Sequence, residues 1–544
     1  MENLAYWCVE CNVPLLEKKC YLCGTISTKK FPTKAIPVFS EELKLLSKAI
    51  GESLEQFHPL DVWVFNRYYY FNGKRIFKIT GGNILESPEI QWLVDKKKVS
   101  KELTLRNDIS YDERVRKCLW ANEYPLGVLE QKSLEFIKDI YESFKDKVTY
   151  AAVSFSGGKD STVVSYLVRK ALGTNKILHI FADTTLENPD TLKYLRDLEH
   201  TENIFLLSAK TEHNYEDLVT KAELPSRIHR WCCTVLKTAP IEKLLRQILE
   251  SGEKILVFDG IRREESRKRE NYRCVESDTK IGPQISIRPI LRWTALEEWL
   301  FILTRNIHFQ EGYKMGLRRI GCSLCPLNSS WFELILQRSY PELMDHFIKT
   351  LFNFAEKRRI EVSINDYIGK GQWKTRAGGA RRSKDLTRFS QIEKEYDSLQ
   401  IRLNKPIYYK QLIEYLKPVL VNKNYFISLN KDDYFYILIS KNNELKYKLK
   451  ACDCSSFLTT YNSSYNENLK FYSKLKKQLV KYQFCVQCGG CESICSTQAL
   501  RIETGKYFVD IDKCVGCNKC IDIADTGCLL ADSARVYGKE GVAV

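Results

Sequence analysis

The sequence holds 544 residues, 44% hydrophobic and 28% charged, with a formal net charge of +16. This composition excludes a disordered chain, and at about 100–200 residues per domain it sets an expectation of roughly three to five modules. No 18-residue apolar run occurs, residues 1–8 lack the basic and apolar regions of a secretory signal, and a cytoplasmic chain without a membrane partner is expected, in which most of the 20 cysteines serve as metal ligands.

Two CxxC knuckles open the chain, Cys8-x2-Cys11 and Cys20-x2-Cys23, with eight residues between them. Four thiolates at this spacing suit tetrahedral Zn²⁺ and leave no open coordination position. Residues 1–35 are therefore expected to form a structural zinc ribbon, with a rubredoxin-like iron site as the alternative. Residues 36–115 read as a small α+β linking module. Its parts are a capped amphipathic helix from Ser40 over 40–46 and strands over 62–65, 67–71 and 75–79 around an Asn72-Gly73 turn. Aromatic and basic residues alternate in these strands. A half-buried sheet accounts for that pattern, and an RNA-contacting surface is the alternative.

Residues 116–365 alternate strands and helices. Buried strands are expected over 149–155, 177–181, 204–207 and 255–258. Between them, residues 161–171 form a helical stripe closed by Gly173, and Asn188 caps a helix with Pro189 at its first position. This rhythm predicts an α/β domain, a central parallel sheet with helices on both faces, binding its ligand at the carboxyl ends of the strands. Ser156-Gly157-Gly158-Lys159-Asp160-Ser161 falls between the first of these strands and a helix start. Glycines let backbone N–H groups approach phosphate oxygens, and the helix terminus adds donors and a positive dipole end. Lys159 supplies a point charge, Ser156 and Ser161 supply hydroxyls, and Asp160 would position Mg²⁺ or the loop. The spacing is not that of a Walker A loop.

This hexapeptide resembles the PP-loop of the N-type ATP pyrophosphatases. Four more segments are similar to the phosphoadenylyl-sulfate (PAPS) and adenylyl-sulfate (APS) reductase branch of that superfamily. They are residues 181–189, which include Asp183; residues 260–267, with Gly260, Arg262, Arg263 and Arg267; residues 287–294; and Gly321-Cys322-Ser323-Leu324-Cys325-Pro326. The resemblance implies an adenine nucleotide held by residues 154–161, Asp183 and Gly260, with Lys159, Asp160 and the three arginines acting on its phosphates. Cys232-Cys233, followed 89 residues later by Cys322-x2-Cys325, looks like the [4Fe-4S] signature of the APS reductase subgroup. Two departures stand against simple sulfate reduction. The reductases' nucleophilic Cys tail is missing, with Cys452 and Cys454 the nearest substitutes and Cys118 and Cys274 left over. The phosphate loop is also complete, as in members that cleave ATP. The first expectation is therefore an ATP- and Mg²⁺-dependent enzyme that adenylates an acceptor for sulfur transfer, with tRNA or DNA as partner, a sulfur donor protein and an electron donor protein. The second is an APS/PAPS reductase, and the third a non-enzymatic redox or nucleotide sensor. Relatives also imply a homodimer.

Residues 366–480 read as a basic loop followed by an α+β module with a strand over 434–439. Between Lys370 and Arg388 lie seven Lys+Arg and one acid, around Trp373. A nucleic-acid clamp, a lid over the phosphates and a plain basic loop are equally consistent with that run. Residues 481–544 carry two cysteine runs, Cys485-x2-Cys488-x2-Cys491-x3-Cys495 and Cys514-x2-Cys517-x2-Cys520 with Cys528. These are the halves of an α+β two-cluster ferredoxin domain, in which the fourth Cys of each run ligates the other cluster. Cys485, Cys488, Cys491 and Cys528 are assigned to one cubane, and Cys514, Cys517, Cys520 and Cys495 to the other. The chain would thus hold three [4Fe-4S] clusters and one zinc. This tail is nearly neutral, so about +17 of net charge sits in the other 480 residues, which suits a polyanionic partner or an ordinary solvated basic surface.

Overall fold

The structure, a computed structural model, describes residues 4–79, 92–93, 109–375, 391–461 and 469–533 apart from scattered positions within them. At the N-terminus, strands β1 (Ala5–Cys8), β2 (Val13–Leu15) and β3 (Lys30–Phe31) form a small antiparallel sheet. A second antiparallel sheet runs in the order β4 (Ile36–Pro37), β5 (Val62–Phe65), β6 (Tyr68–Phe71), β7 (Lys74–Ile79) and β8 (Trp92–Leu93). Asn72 and Gly73, at φ +47° and +70°, make the β6–β7 turn, as their residue types require. Tyr69, Phe71 and Phe77 are buried, so the alternation of aromatic and basic residues here marks a half-buried sheet. The helix Ser40–Ile50 begins one residue earlier than a Ser40 cap would set it. Phe39 is the N-cap and no side chain caps it, because Ser40 already lies inside the first turn.

The central sheet runs β11 (Phe205–Lys210), β10 (Leu178–Asp183), β9 (Tyr150–Ser154), β12 (Ile255–Asp259), β14 (Gln284–Ile287) and β13 (Val275–Glu276). Every pairing is parallel except the β13 edge. Chain order reverses between β9 and β12, and such a switch point opens a crevice at the strand ends. Val163, Val164, Leu167 and Val168 of the Lys159–Leu172 helix pack one sheet face, with Tyr194, Leu195, Trp299 and Phe301. Ile241 and Leu245 of the Ala239–Ile248 helix cover the other face against Ala152, Ile180 and Val257. Gly173 closes the first helix at φ +65°, and the Asn188 side chain accepts the Thr191 N–H at 2.9 Å.

The N-terminal sheets dock on this domain through buried polar contacts. Arg114 pairs with Asp61 at 2.7 Å, both buried. Arg318 donates to both oxygens of the buried Glu42 and to the Tyr69 hydroxyl. Further along, β15 (Gln391–Glu395), β16 (Ser398–Arg402), β17 (Asn424–Leu429), β18 (Tyr434–Lys441), β19 (Glu444–Cys452) and β20 (Phe457–Tyr461) form an antiparallel sheet in the order β15-β16-β20-β19-β18-β17. One of its faces packs on the helices Tyr409–Leu420 and Leu469–Phe484. The last hairpin pairs β21 (Leu500–Glu503) with β22 (Lys506–Val509). Trp373 and Lys374, from the basic stretch, are buried, with Lys374 paired to Glu333 at 2.6 Å. Trp373 is thus core and cannot stack on a ligand; residues 376–388 lie outside the described residues. Among the described residues no helix is long and apolar enough to cross a membrane.

His179 in β10 is fully buried and spans Ser165 Oγ at 2.8 Å and the Ile177 carbonyl at 2.8 Å. Burial holds its pKa down at about 4. Between pH 6.5 and 4 the unfolded chain takes up a proton that the folded chain refuses, so stability falls as pH drops, by about 3 kcal/mol in total. Urea midpoints measured from pH 7 to 4 are expected to show this acid slope in the native protein and to lose most of it in His179→Gln.

Candidate active site and metal centres

The phosphate loop leaves β9 at Ser154 and turns at Gly157, whose φ is +72°. The Ser161 hydroxyl receives the Ser156 N–H at 3.2 Å and donates to the Gly158 carbonyl at 2.8 Å, which locks the loop onto the helix start. The Lys159 N–H donates to the Tyr313 hydroxyl at 2.9 Å. Gly260, at the end of β12, faces this loop so closely that a Cβ would lie 2.6 Å from the Asp160 carbonyl carbon and the Ser161 nitrogen. Glycine is required there by backbone contact.

The loop's charged side chains meet in a buried cluster. Lys159 Nζ lies 2.6 Å from Asp160 Oδ2 and 2.8 Å from Glu298 Oε2. Arg262 Nε lies 2.5 Å from Asp160 Oδ1 and 3.2 Å from Glu298 Oε2, and its Nη1 reaches Glu264. Burial alone would raise the Asp160 carboxyl, but Lys159 and Arg262 outweigh it and hold it well below the usual carboxylate range. Burial raises the Glu298 carboxyl, with Arg262 opposing and Asp160 reinforcing. Both Asp160 oxygens face cations, so Mg²⁺ at this carboxylate would have to displace one of them. Of the three arginines expected at the phosphates, only Arg262 joins the loop. Arg263 donates to the Tyr272 carbonyl at 3.2 Å, and Arg267 is exposed. Asp183 ends β10 and accepts the Thr185 N–H at 2.9 Å, closing its own turn.

Two cavities flank the loop and the Gly260–Arg262 segment. One, of about 420 Å³, lies at the carboxyl ends of β9, β12 and β14 and is lined by Ser154, Lys237, Asp259, Lys268, Tyr272 and Arg288 among others. The other, of about 480 Å³, lies under the N-terminal sheet, where Lys34, Arg67, Arg318 and Arg319 face Lys159, Asp160 and Arg262. Glu298 and Lys237 were not singled out as site residues from sequence. Glu298 is a fully buried carboxylate in a helix otherwise apolar from Trp299 to Leu303, and that misfit was its signal. Lys237 lines the strand-end cavity and acts electrostatically on both Asp259 and Cys322.

Cys8, Cys11, Cys20 and Cys23 bring their sulfurs within 4.8 Å of one another, with Cys8–Cys23 at 3.6 Å and Cys11–Cys20 at 3.7 Å. A tetrahedron of thiolates about 2.3 Å from Zn²⁺ has edges of about 3.8 Å, so this quartet fits zinc. Twelve of the other sixteen cysteines form three neighbour sets. Cys232 is electrostatically coupled to Cys233, Cys322 and Cys325. Cys485, Cys488, Cys491 and Cys528 ring one cavity, and Cys495, Cys514, Cys517 and Cys520 ring another. The chain therefore crosses over, bringing Cys528 to the first ferredoxin run and Cys495 to the second. Each set offers four thiols, a donor set suited to a cubane. Cys452 and Cys454 belong to the β15–β20 module and line neither flanking cavity. Cys274 stands next to the strand-end cavity, its carbonyl accepting the Arg288 N–H at 2.9 Å.

The C-terminal cysteine-rich segment, expected to be the ferredoxin module, packs directly on the first of these sets. The helix Trp231–Cys233 runs into a π-helical turn, Thr234–Thr238. A Cβ on Gly490 would lie 3.5 Å from Thr234 Cγ2, and one on Gly489 3.5 Å from the Ala239 Cβ. Cys528 and Leu530 share an apolar cluster with Trp231, Val235 and Leu236, and Cys232, Cys322 and Cys488 pack against it. Arg246 Nη2 donates to the Glu492 carbonyl at 2.7 Å, fixing the docking.

Anaerobically purified protein is expected to carry about one zinc and about twelve irons per chain by elemental analysis. Cys20→Ser is expected to lose the zinc and keep the iron, whereas Cys322→Ser is expected to lose about four irons and keep the zinc.

A family model described as phosphoadenosine phosphosulfate reductase domain matches residues 150–328. An uncharacterised protein of Methanocaldococcus jannaschii is 34% identical over 254 residues, covering 47% of this chain and 51% of the relative. A second from the same organism is 32% identical, covering 50% of this chain and 63% of its own. The chain thus spans about half to three-fifths of the length of these relatives. The adenosine 5′-phosphosulfate reductase of Halalkalibacterium halodurans is 28% identical over 38% of this chain and 84% of its own. Among solved structures, the PAPS reductase of Candida auris overlaps 36% of this chain and 93% of its own at 16% identity and a TM-score of 0.27. Residues 150–328 of this chain are thus similar to the phosphoadenosine phosphosulfate reductase domain.

Proposed function

We propose that the protein is a sulfonucleotide reductase that cleaves APS or PAPS to sulfite and the nucleoside phosphate, with its own ferredoxin module as reductant. The observation that carries this reading is the π-helical turn Thr234–Thr238. Its Thr234 neighbours Gly490 of the C-terminal segment on one side, with Ala239 just after the turn beside Gly489, and it presents Lys237 and Thr238 to the strand-end cavity on the other. The kinship with APS reductases at 28% identity supports it. Reducing sulfur from the sulfate to the sulfite level takes two electrons, which break the bond between sulfur and the bridging phosphate oxygen and leave with the sulfite. The two C-terminal clusters, when bound, supply one electron each. The chain's own residues hold the substrate: the helix N-terminus after the loop faces its phosphate, Gly260 lets its own segment close on the loop backbone, and Lys237, Lys268 and Arg288 neutralise the sulfate. The Lys159–Asp160–Arg262–Glu298 cluster is a positioning device that fixes the loop.

The second reading is ATP-dependent adenylation of a tRNA or DNA acceptor, with sulfur delivered by a donor protein. It is favoured by the complete Ser156–Ser161 loop and by the cationic cavity that Lys159 and Arg262 line. Here Lys159 and Arg262 would leave the ion cluster to meet pyrophosphate and Mg²⁺.

Anaerobic incubation with ³⁵S-labelled APS or PAPS, or with Mg-ATP, under the sulfur-free reductant titanium(III) citrate separates the two. Sulfite from a sulfonucleotide, with kcat/KM falling about 100-fold or more in Lys237→Ala, supports the reductase. AMP and pyrophosphate from ATP, lost in Lys159→Ala and without sulfite from either sulfonucleotide, overturns it in favour of the second reading.

A further inference from the structure

We propose that the outer face of the β15–β20 sheet binds single-stranded nucleic acid. The inference stands on a different part of the molecule from the nucleotide cavity and does not depend on which substrate that cavity takes.

The inner face is settled by packing. Phe435, Ile437, Ile439, Leu449, Ala451 and Leu458 are buried against the two helices. Side chains alternate along strands, so the partners between them point away from those helices. The register places them in rows. Tyr436 lies opposite Lys450, and Lys450 opposite Thr459. In the next row Phe426 is opposite Leu438, Leu438 opposite Lys448, and Lys448 opposite Tyr461. Arg402 is opposite Phe457 at the end of β16.

Cations and rings interleave across these rows. Lys448 Nζ stands 4.8 Å from the Tyr436 ring centre and 5.7 Å from that of Tyr461. Lys450 stands 4.3 Å from that of Tyr434, and the Arg402 guanidinium 5.7 Å from that of Phe457. Three of the rings are open to solvent, Phe426 at 65%, Phe457 at 42% and Tyr461 at 38% exposure. On β16–β20 the outward positions whose side chains are described carry three cations, Arg402, Lys448 and Lys450, and no acid, while Glu393 and Glu395 take outward register positions on the edge strand β15, which β16 and β20 separate from Lys448 and Lys450.

This chemistry selects its occupant. Exposed rings offer π-faces on which unpaired bases stack, and the interleaved cations meet the phosphates between them. A duplex hides its base faces, and its major groove admits a helix or a two-stranded ribbon rather than the broad face of a six-stranded sheet. An acidic protein would use the cations but leave the open aromatic rings uncovered. The excess of about +17 outside the ferredoxin tail agrees with a polyanionic partner.

The test is fluorescence anisotropy of the full-length holoprotein with three labelled probes of equal length: oligo(U) RNA, oligo(dT) DNA and a mixed-sequence duplex. Binding of one or both single strands over the duplex is expected, and the comparison of oligo(U) with oligo(dT) identifies the sugar. Lys448→Ala/Lys450→Ala is expected to weaken binding at least tenfold and to reduce the slope of log K against log salt by about 1.4, the value for two phosphate contacts on a single strand. Tyr436→Ala/Tyr461→Ala is expected to weaken binding about tenfold with the salt slope unchanged, the signature of stacking. Lys132→Ala/Lys138→Ala, on an exposed helix face of the nucleotide domain, is expected to change neither. Equal affinity for the duplex, insensitivity to the sheet variants, or no binding of either single strand overturns the proposal. All four substituted side chains point outward, and circular dichroism of the variants checks that the sheet is retained.

Discussion

The buried charge cluster of Lys159, Asp160, Arg262 and Glu298 is the constraint on which the nucleotide domain's functional end depends. Four ionised or ionisable groups out of water carry a large desolvation cost, and only close mutual pairing offsets it. The pairing ties together three separate pieces of chain: the phosphate loop and its helix, the segment after β12, and the Ala295–Thr304 helix. Removing one partner would leave the others buried and uncompensated, at a cost of about 3–5 kcal/mol. Gly260 serves the same junction without charge, since its missing Cβ allows the two loops to meet backbone to backbone. Loop geometry at the strand ends is thereby set before any ligand arrives, which is the condition for electrostatic preorganisation.

Around that fixed point the molecule is organised as a sequence of contacts leading inward from the C-terminus. The crossed cysteine sets of the ferredoxin module lie behind the loop that holds Gly489 and Gly490, that loop rests on the π-helical turn, and the turn carries Lys237 into the strand-end cavity. π-turns are costly and recur where a side chain must be aimed. Here the extra residue follows directly after Cys233, so one local irregularity orients both the cysteine pair and the lysine. On the opposite flank the N-terminal sheets close a second cavity, held down by Arg318 on Glu42 and Tyr69 and by Arg114 on Asp61. The nucleotide loop thus stands between a cysteine-rich side and a cationic side.

The positive charge of the chain resolves into several distinct uses. Lys159, Arg262, Lys374 and Arg114 are buried and internally paired, so they contribute nothing to long-range attraction beyond their partners. Lys448, Lys450 and Arg402 remain at the surface beside aromatic rings. Net charge alone could not separate these roles, because a paired buried lysine and an open one count equally in a sum.

Local chemistry was legible from the residues themselves. The zinc quartet, the ferredoxin runs, the glycine-rich loop, the Asn188 and Gly173 helix caps and the parallel-strand rhythm all depend on spacing or on backbone preference within a few residues, and a sequence states such things directly. The crossover of Cys495 and Cys528 was legible for the same reason, as a property of a known spacing. What only the tertiary structure decided were meetings of distant segments. Glu298 joins Lys159 from far along the chain, Trp373 turns inward although its neighbours are basic, and Arg263 and Arg267 turn away from a loop that Arg262 enters. The ferredoxin docking on the π-turn and the outer face of the β15–β20 sheet are of the same kind. Each depends on which side of a helix or sheet finds a packing partner, and that choice is made by the burial of apolar surface across the whole fold rather than by any residue's own preference.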